Sequence, residues 1–368
     1  MSGKRLRIVH RGYFPARAGA ELMAQYLAES MRRRGHTVGL YSSEMDEESA
    51  RWMRAAGVTV ETLPDSPPPG DRPDIVHAVD SVDPDYPRAA LRLAREWGVP
   101  LAFTPASAPD VWKDRAAVLD VCRQADAVFV LTEAERRMLL GEGVDEAALH
   151  IIGQGAHLAS GQNPRRFRET HGITGPVVLF LGRKMRSKGY ALLLEAARTV
   201  WRRHPDAHFV FIGPRWDEDC EELFSRHADP RIVELGMVDE AEKADALAAC
   251  DVFCLPSTVD VFPLVYVEAW TSGKPVVGST FMGGAEVVRH GVDGLIAEPR
   301  AEAVADAVAR LLDDRELAAT LGAEGRARAE REFGWDVVAD RIDAVYTTLT
   351  APSGSDRADL PRASVEGD

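Results

Sequence analysis

Four residues, Arg183, Lys188, Asp260 and Glu268, have the side-chain types and spacing to hold an anion and the hydroxyls beside it. Arg183 and Lys188 lie in LGRKMRSKGY at 181–190, at the carboxyl end of a predicted strand. A permanently charged guanidinium fork beside a mobile ammonium suits a leaving group on which negative charge grows. Asp260 and Glu268 belong to DVFCLPSTVDVFPLVYVEAW, where a strand ends near Pro256 and a helix is predicted to begin with Pro263 in its first turn. The N–H groups of Leu264, Val265 and Tyr266 then lack intrahelical partners, and with the helix dipole they offer an anion site. Glu268 falls one turn further along the same face, within reach of ribose hydroxyls, and Asp260 stands just before the helix. A plain helix cap with a solvated glutamate, and a solvated basic loop, fit the same two segments. A third segment, RGYFPARAGAELM, places the small residues Gly19 and Ala20 where backbone can approach a ligand. It lacks the G-x-G-x-x-G dinucleotide fingerprint.

These residues need strand ends to carry them, and the hydrophobic pattern supplies them. LRIVHRG, HTVGLYS, DIVHAVD, PLAFTPA, DAVFVLT and LHIIGQG read as strands, interleaved with helices such as YPRAALRLAREWG and AELMAQYLAESMRRRG. The latter has Met23, Leu27, Ser30 and Met31 on one face and stops at Gly35. A polar stretch at 158–176 interrupts the alternation, which restarts at PVVLFLG and runs through AHFVFIG, RIVELG, DVFCLPS and KPVVGS. Strand–helix repetition predicts α/β architecture with two doubly wound parallel sheets, whose ligands sit beyond the carboxyl ends of the strands. The expected domains are 1–165 and 173–333, with a C-terminal helix at 334–350 packing back on the first domain. Residues 351–368, poor in large apolar side chains, are expected to be disordered.

Composition narrows the function. The chain has 44 Lys and Arg against 58 Asp and Glu, a net charge of −14, which disfavours nucleic acid and anionic bilayers as partners. A basic cluster at Arg32–Arg34 keeps a lipid-linked acceptor open. Apolar residues make up 45% of the sequence, but no run approaches the ~20 residues of a membrane-spanning helix. The basic opening is followed by no apolar block, and four cysteines are too few for a disulfide framework, so a cytoplasmic location is expected. Cys250 and Cys254 have no second Cys/His pair nearby and read as buried structural thiols rather than metal ligands.

Taken together, the segments resemble the retaining nucleotide-sugar glycosyltransferases of family 4, which have two Rossmann-like domains in the GT-B arrangement. AGAE and RGHTV match the family's first loop and helix end, Gly182-Arg183 and Lys188-Gly189 its GR and KG pairs, and IIGQGAH its strand before the linker. DVFCLPSTVDVFPLVYVEAWTSGKPVVGS is the most specific match, and the likeness covers nearly the whole chain. It implies that Arg183 and Lys188 bind the donor diphosphate, Glu268 the ribose, and Asp260 with the adjacent backbone the transferred sugar. Gly19, Gly182, Gly213, Val238, Phe262, Leu264 and Val265 would then line the donor site, with the Gly213–Pro214 turn and Met237–Val238 near the base. Three departures matter. Asp260 stands where the family has the first of two glutamates, Ala18 replaces a glycine, and Ala106 occupies about the place of a sugar-contacting histidine. His77, in DIVHAVD, is the candidate substitute, with Ala20 beside it at the acceptor side.

The likeness further implies transfer with retention of anomeric configuration, no cofactor and no metal, in agreement with the lack of a suitable DxD loop. The expected partners are a nucleoside-diphosphate sugar and a small soluble acceptor from natural-product, thiol or saccharide biosynthesis in a bacterium. Two other readings fit: a nucleotide-sugar 2-epimerase on the same fold, and a sugar-nucleotide-binding protein without turnover. The sequence leaves the base, the sugar, the acceptor and the oligomeric state open.

Overall fold

A computed structural model describes residues 3–13, 19–156 and 158–351. The first sheet is built from β1 (Arg5–Val9), β2 (Thr37–Ser42), β3 (Thr59–Thr62), β4 (Ile75–Val79), β5 (Leu101–Thr104), β6 (Ala127–Val130) and β7 (Leu149–Ile151). The second contains β8 (Val177–Leu181), β9 (His208–Ile212), β10 (Ile232–Leu235), β11 (Val252–Cys254), β12 (Val276–Ser279) and β13 (Gly294–Ala297). Both are parallel, in the orders β3-β2-β1-β4-β5-β6-β7 and β10-β9-β8-β11-β12-β13. Their central strands IVHAV, VVLFL and HFVFI are buried at every position, as parallel strands covered on both faces must be. The strand order reverses between β1 and β4 and again between β8 and β11. At such points the outgoing loops diverge and leave a crevice.

Helices α1 (Gly19–Arg33), α2 (Glu47–Ala55), α3 (Asp85–Trp97), α4 (Arg115–Gln124) and α5 (Glu133–Gly141) cover the first sheet. The following helices are α6 (Pro164–Thr170), α7 (Tyr190–Val200), α8 (Cys220–Arg226), α9 (Glu240–Ala249) and α10 (Leu264–Thr271). The last four are α11 (Gly284–Val287), α12 (Ala301–Asp313), α13 (Arg315–Glu332) and α14 (Trp335–Leu349). The two-domain, doubly wound α/β architecture is as expected. The polar stretch 158–176 is not a bare connection, however. Asn163 caps α6 by accepting from the Arg166 N–H, Pro164 occupies the first helical position, and the buried Phe167 packs the helix onto α9. The expected disorder of 351–368 falls, apart from residue 351, outside the described residues.

Helix α14 returns to the first sheet and packs on α1. Its Tyr346 hydroxyl lies 2.5 Å from Nδ1 of His77, whose Nε2 is 2.7 Å from Thr104 Oγ1. His77 is completely buried, and burial pushes its pKa down to about 3. It is therefore a core residue with both ring nitrogens engaged by the fold, not the sugar contact at a strand end that the sequence suggests. The Arg32–Arg34 cluster makes hydrogen bonds within the fold, although Arg33 stays exposed. Arg32 donates to the His36 carbonyl, Arg33 to Ser30 Oγ, and Arg34 to the Asp336 carbonyl and, at 2.7 Å, to Asp340. On another side of the molecule Glu286, on α11, accepts from the Ala134 N–H at 3.0 Å and from Arg137 at 2.6 Å. A carboxylate of the second sheet's half thus caps the first turn of α5.

Replacing Tyr346 with Phe would leave His77 Nδ1 buried without its partner and should lower unfolding stability by about 1–3 kcal/mol, measured by denaturant titration. Between the ordinary histidine pKa near 6.5 and the folded value of about 3, the unfolded chain binds a proton that the folded one refuses. Stability should therefore fall as pH drops through that window, and an unfolding midpoint equal at pH 7 and pH 4.5 would contradict it.

Candidate active site

The second reversal point gathers most of the residues singled out above. Beyond β8, the chain passes through Gly182 and Arg183 into a short turn ending at Gly189. Gly189 has φ +83°, and a Cβ there would stand 2.4 Å from the Pro256 carbonyl oxygen, so only glycine allows the two loops to touch. The contact is zipped by the Thr258 N–H donating to the Ser187 carbonyl at 2.8 Å and by Ser257 Oγ donating to the same oxygen at 3.1 Å. Lys188 is thereby delivered to Asp260, Nζ to Oδ2 2.6 Å, with both side chains half-buried. The Val261 N–H also donates to Asp260, at 3.2 Å.

Helix α10 starts four residues after Asp260. Pro263 is its N-cap rather than its first-turn residue, and its carbonyl accepts from the Tyr266 N–H at 3.0 Å. The expected trio of free donors therefore shrinks to Leu264 and Val265, whose N–H groups have no partner among the described residues. Phe262, expected at the donor, turns its side chain into the core, edge to face on Phe333 at 5.0 Å. Leu264 is buried and Val265 half-buried, so what both offer a ligand is backbone.

Glu268 sits one turn on and is 2% exposed. Its Oε1 accepts from Lys243 of α9 at 2.9 Å, and Lys243 also meets Glu240 at 2.6 Å. Burial pulls the Lys243 pKa down, but the two carboxylates outweigh it and raise the pKa overall. Tyr26, from α1, is pushed up to about 12, chiefly by burial, and feels the charges of Lys243, Glu240 and Glu268. The glutamate thus faces the first domain's opening helix. Lys243 escaped sequence reading, although a lysine three positions after a glutamate on an otherwise apolar helix face was the available signal.

The region around Gly213, expected near the base, is equally specific. A Cβ on Gly213 would lie 2.1 Å from the Gly182 carbonyl oxygen, so these two glycines serve the contact between the β8 and β9 loops. Lys184, which the sequence reading passed over, is 1% exposed and donates to the carbonyls of Gly213 at 2.6 Å and Leu235 at 2.7 Å. Burial lowers its pKa, with Glu234 at 3.2 Å opposing. Lys184, Gly213, Arg215, Glu234, Leu235 and Gly236 line a cavity of about 390 Å³. The half-buried Val238 and the exposed Met237 follow it in sequence. On the first domain, Gly19 opens α1 and its carbonyl accepts from Gln154 at 3.4 Å, with Ala20 half-buried beside it. Ala18 lies outside the described residues. Ala106 is a half-buried, non-glycine residue at φ +59°, two positions beyond β5.

Comparison with known proteins agrees with this geometry. Residues 162–328 match the glycosyl transferases group 1 family, and residues 18–155 match the glycosyl transferase 4-like domain. The chain belongs to the group 1 glycosyltransferases. It is 39% identical over 184 residues to a phosphatidyl-myo-inositol mannosyltransferase of Mycobacterium leprae, covering 49% of this chain and 48% of that protein. It is 28% identical over 251 residues to an alpha-D-kanosaminyltransferase of Streptomyces kanamyceticus, covering 65% and 63% respectively. The match thus spans about half to two thirds of these relatives' length. HepE of Anabaena, solved in complex with UDP-glucose, superposes with a TM-score of 0.80 at 19% identity over 94% of this chain and 100% of that one. That superposition establishes the GT-B fold of this glycosyltransferase.

Replacing Lys243 with Met would strand a buried carboxylate. Thermal or denaturant unfolding should show a loss on the order of 3 kcal/mol, with partial recovery when Glu268 is changed to Gln in the same chain.

Proposed function

We propose that this glycosyltransferase moves a sugar from a nucleoside-diphosphate sugar to a small soluble acceptor, with retention of configuration and without a metal or cofactor. The observation that carries the reading is the Lys188–Asp260 pair, 2.6 Å apart at the reversal point of the second sheet and directly ahead of the free Leu264 and Val265 N–H groups. A cation and two backbone donors thus gather at one strand-end reversal point, a grouping of the kind that stabilises charge growing on a departing group.

On entry of the donor, Lys188 exchanges its carboxylate partner for a diphosphate oxygen, and Asp260, released, accepts from sugar hydroxyls. Glu268, held by Lys243, accepts from the ribose. As the anomeric carbon–oxygen bond breaks, its electron pair passes to the diphosphate, whose charge Arg183, Lys188 and the α10 N-terminus share. The acceptor's oxygen, nitrogen or sulfur attacks the anomeric carbon from the face the diphosphate leaves, and its proton passes to a departing diphosphate oxygen. No side-chain nucleophile is needed. The small acceptor rests on the net charge of −14, and of the Arg32–Arg34 cluster that kept a lipid-linked acceptor open only Arg34 is paired with a carboxylate among the described residues, Asp340.

A thermal-shift panel of UDP, GDP, ADP, CDP and dTDP should single out one nucleotide. At 100 times its dissociation constant that ligand stabilises the protein by about 2.7 kcal/mol, and Arg183→Ala should weaken or abolish the shift. Lys188→Ala should lower kcat by about 100- to 1,000-fold with the donor so identified. A panel without any shift overturns the reading. Product formed from donor alone, with its sugar epimerised and no acceptor consumed, would replace it by the epimerase.

A further inference from the structure

Arg183 is set apart from the cations around it. Lys184 meets Glu234, Arg186 meets Asp219, Lys188 meets Asp260, and Arg215 holds Glu234 through two hydrogen bonds of 2.8 Å. Among the described residues Arg183 has no carboxylate within ion-pair distance. Its guanidinium carbon instead lies 5.0 Å over the ring of Trp216. Trp216 is 55% exposed, in the loop that leaves β9, and among the described residues its ring packs against no other aromatic. Burial of its own surface does not account for its place. The loop is anchored on both sides of it, because the Pro214 carbonyl accepts from the Lys184 N–H at 2.9 Å and the Asp217 carboxylate accepts from the Arg186 N–H at 2.7 Å. The backbone that bears the indole is therefore held to the very loop that carries Arg183.

Resting on the donor reading above, we propose that Trp216 is a positioning residue for Arg183, holding the guanidinium ready for a diphosphate without neutralising it. A carboxylate partner would order the arginine equally well, but it would occupy N–H donors of the fork and cancel the charge meant for the ligand. An aromatic face attracts the cation through its quadrupole and uses none of the five donors. The long arginine side chain loses much of its rotamer freedom before the ligand arrives, so less is lost on binding. In a chain of net charge −14, a cation kept unpaired in this way marks where an anion is received.

Calorimetric titration of wild type, Trp216→Ala, Trp216→Phe, Arg183→Ala and the Trp216→Ala/Arg183→Ala double variant tests this, using inorganic pyrophosphate, UDP, GDP, uridine and guanosine as probes. Trp216→Ala should weaken pyrophosphate and the favoured nucleoside diphosphate by roughly 3- to 10-fold and leave the nucleoside unchanged. Phe should restore most of the loss, and the tryptophan change should add nothing once Arg183 is gone. An equal loss for the nucleoside would make Trp216 a wall of the base site and overturn the proposal, as would additive losses in the double variant. Wild-type protein that binds pyrophosphate in a Trp216-dependent manner but none of the nucleoside diphosphates would sink the donor reading alone. Binding of neither would sink both.

Discussion

The approach of two backbones, at Gly189 and Pro256, sets the distance scale of the whole site. With a Cβ at Gly189 the β8 and β11 loops would have to part, because the intruding atom would be 2.4 Å from a carbonyl oxygen that has nowhere to go. With glycine there, Ser187 accepts from Thr258 and Ser257, and a lysine on one loop reaches an aspartate on the other. Helix α10 then begins within a few residues of that pair. A conformational requirement at one residue is thus passed on as a hydrogen-bond pattern, then as a charge pair, then as the place where a helix dipole opens. It happens between β8 and β11, where the strand order reverses.

Electrostatics in this molecule is a matter of how scarce cations are distributed. With 44 basic residues against 58 acidic ones, the ordinary fate of a lysine or arginine is a carboxylate partner. Lys243 follows that rule in the interior, where the pair with Glu268 keeps a buried charge tolerable. Lys188 follows it in a form that can be reversed, since both it and Asp260 are half-buried and, on the proposed donor reading, each would find an alternative partner in the ligand. Donor entry would exchange ion pairs rather than strip a bare charge of its surroundings.

The parallel sheets were legible because their central strands are long apolar runs, and the strand ends therefore told where Arg183 and Lys188 would emerge. Other elements were hidden for definable reasons. The edge strand Thr59–Thr62 is mostly exposed and carries too little apolar pattern to be seen. Helix α13, RELAATLGAEGRARAERE, is polar and held by close packing of Gly322 and Gly325 against the 270–274 region, a contact that no periodicity announces. In the site, the motif residues were found, but their partners were not. Lys243 and Trp216 come from other elements and meet Glu268 and Arg183 only through the fold. His77 misled for the converse reason, since a histidine at a strand centre looks the same in sequence whether it faces a cleft or, as here, a tyrosine from a helix 269 positions later.

The two halves are joined unequally. Helix α14 crosses to the first sheet through the fully buried Tyr346 and His77, while Ala156 bridges Gly334 nearby and Trp335 covers Gly155. At α5 the junction is polar: Glu286 closes a helix end beside a partly exposed arginine, and Gly283 lies against the N-cap residue Thr132. Helix capping of this kind contributes about 1 kcal/mol, little more than thermal energy and a factor of about five in population. The first seam is buried and largely apolar, the second polar and partly exposed, so the contacts at α14 are the costlier of the two to part.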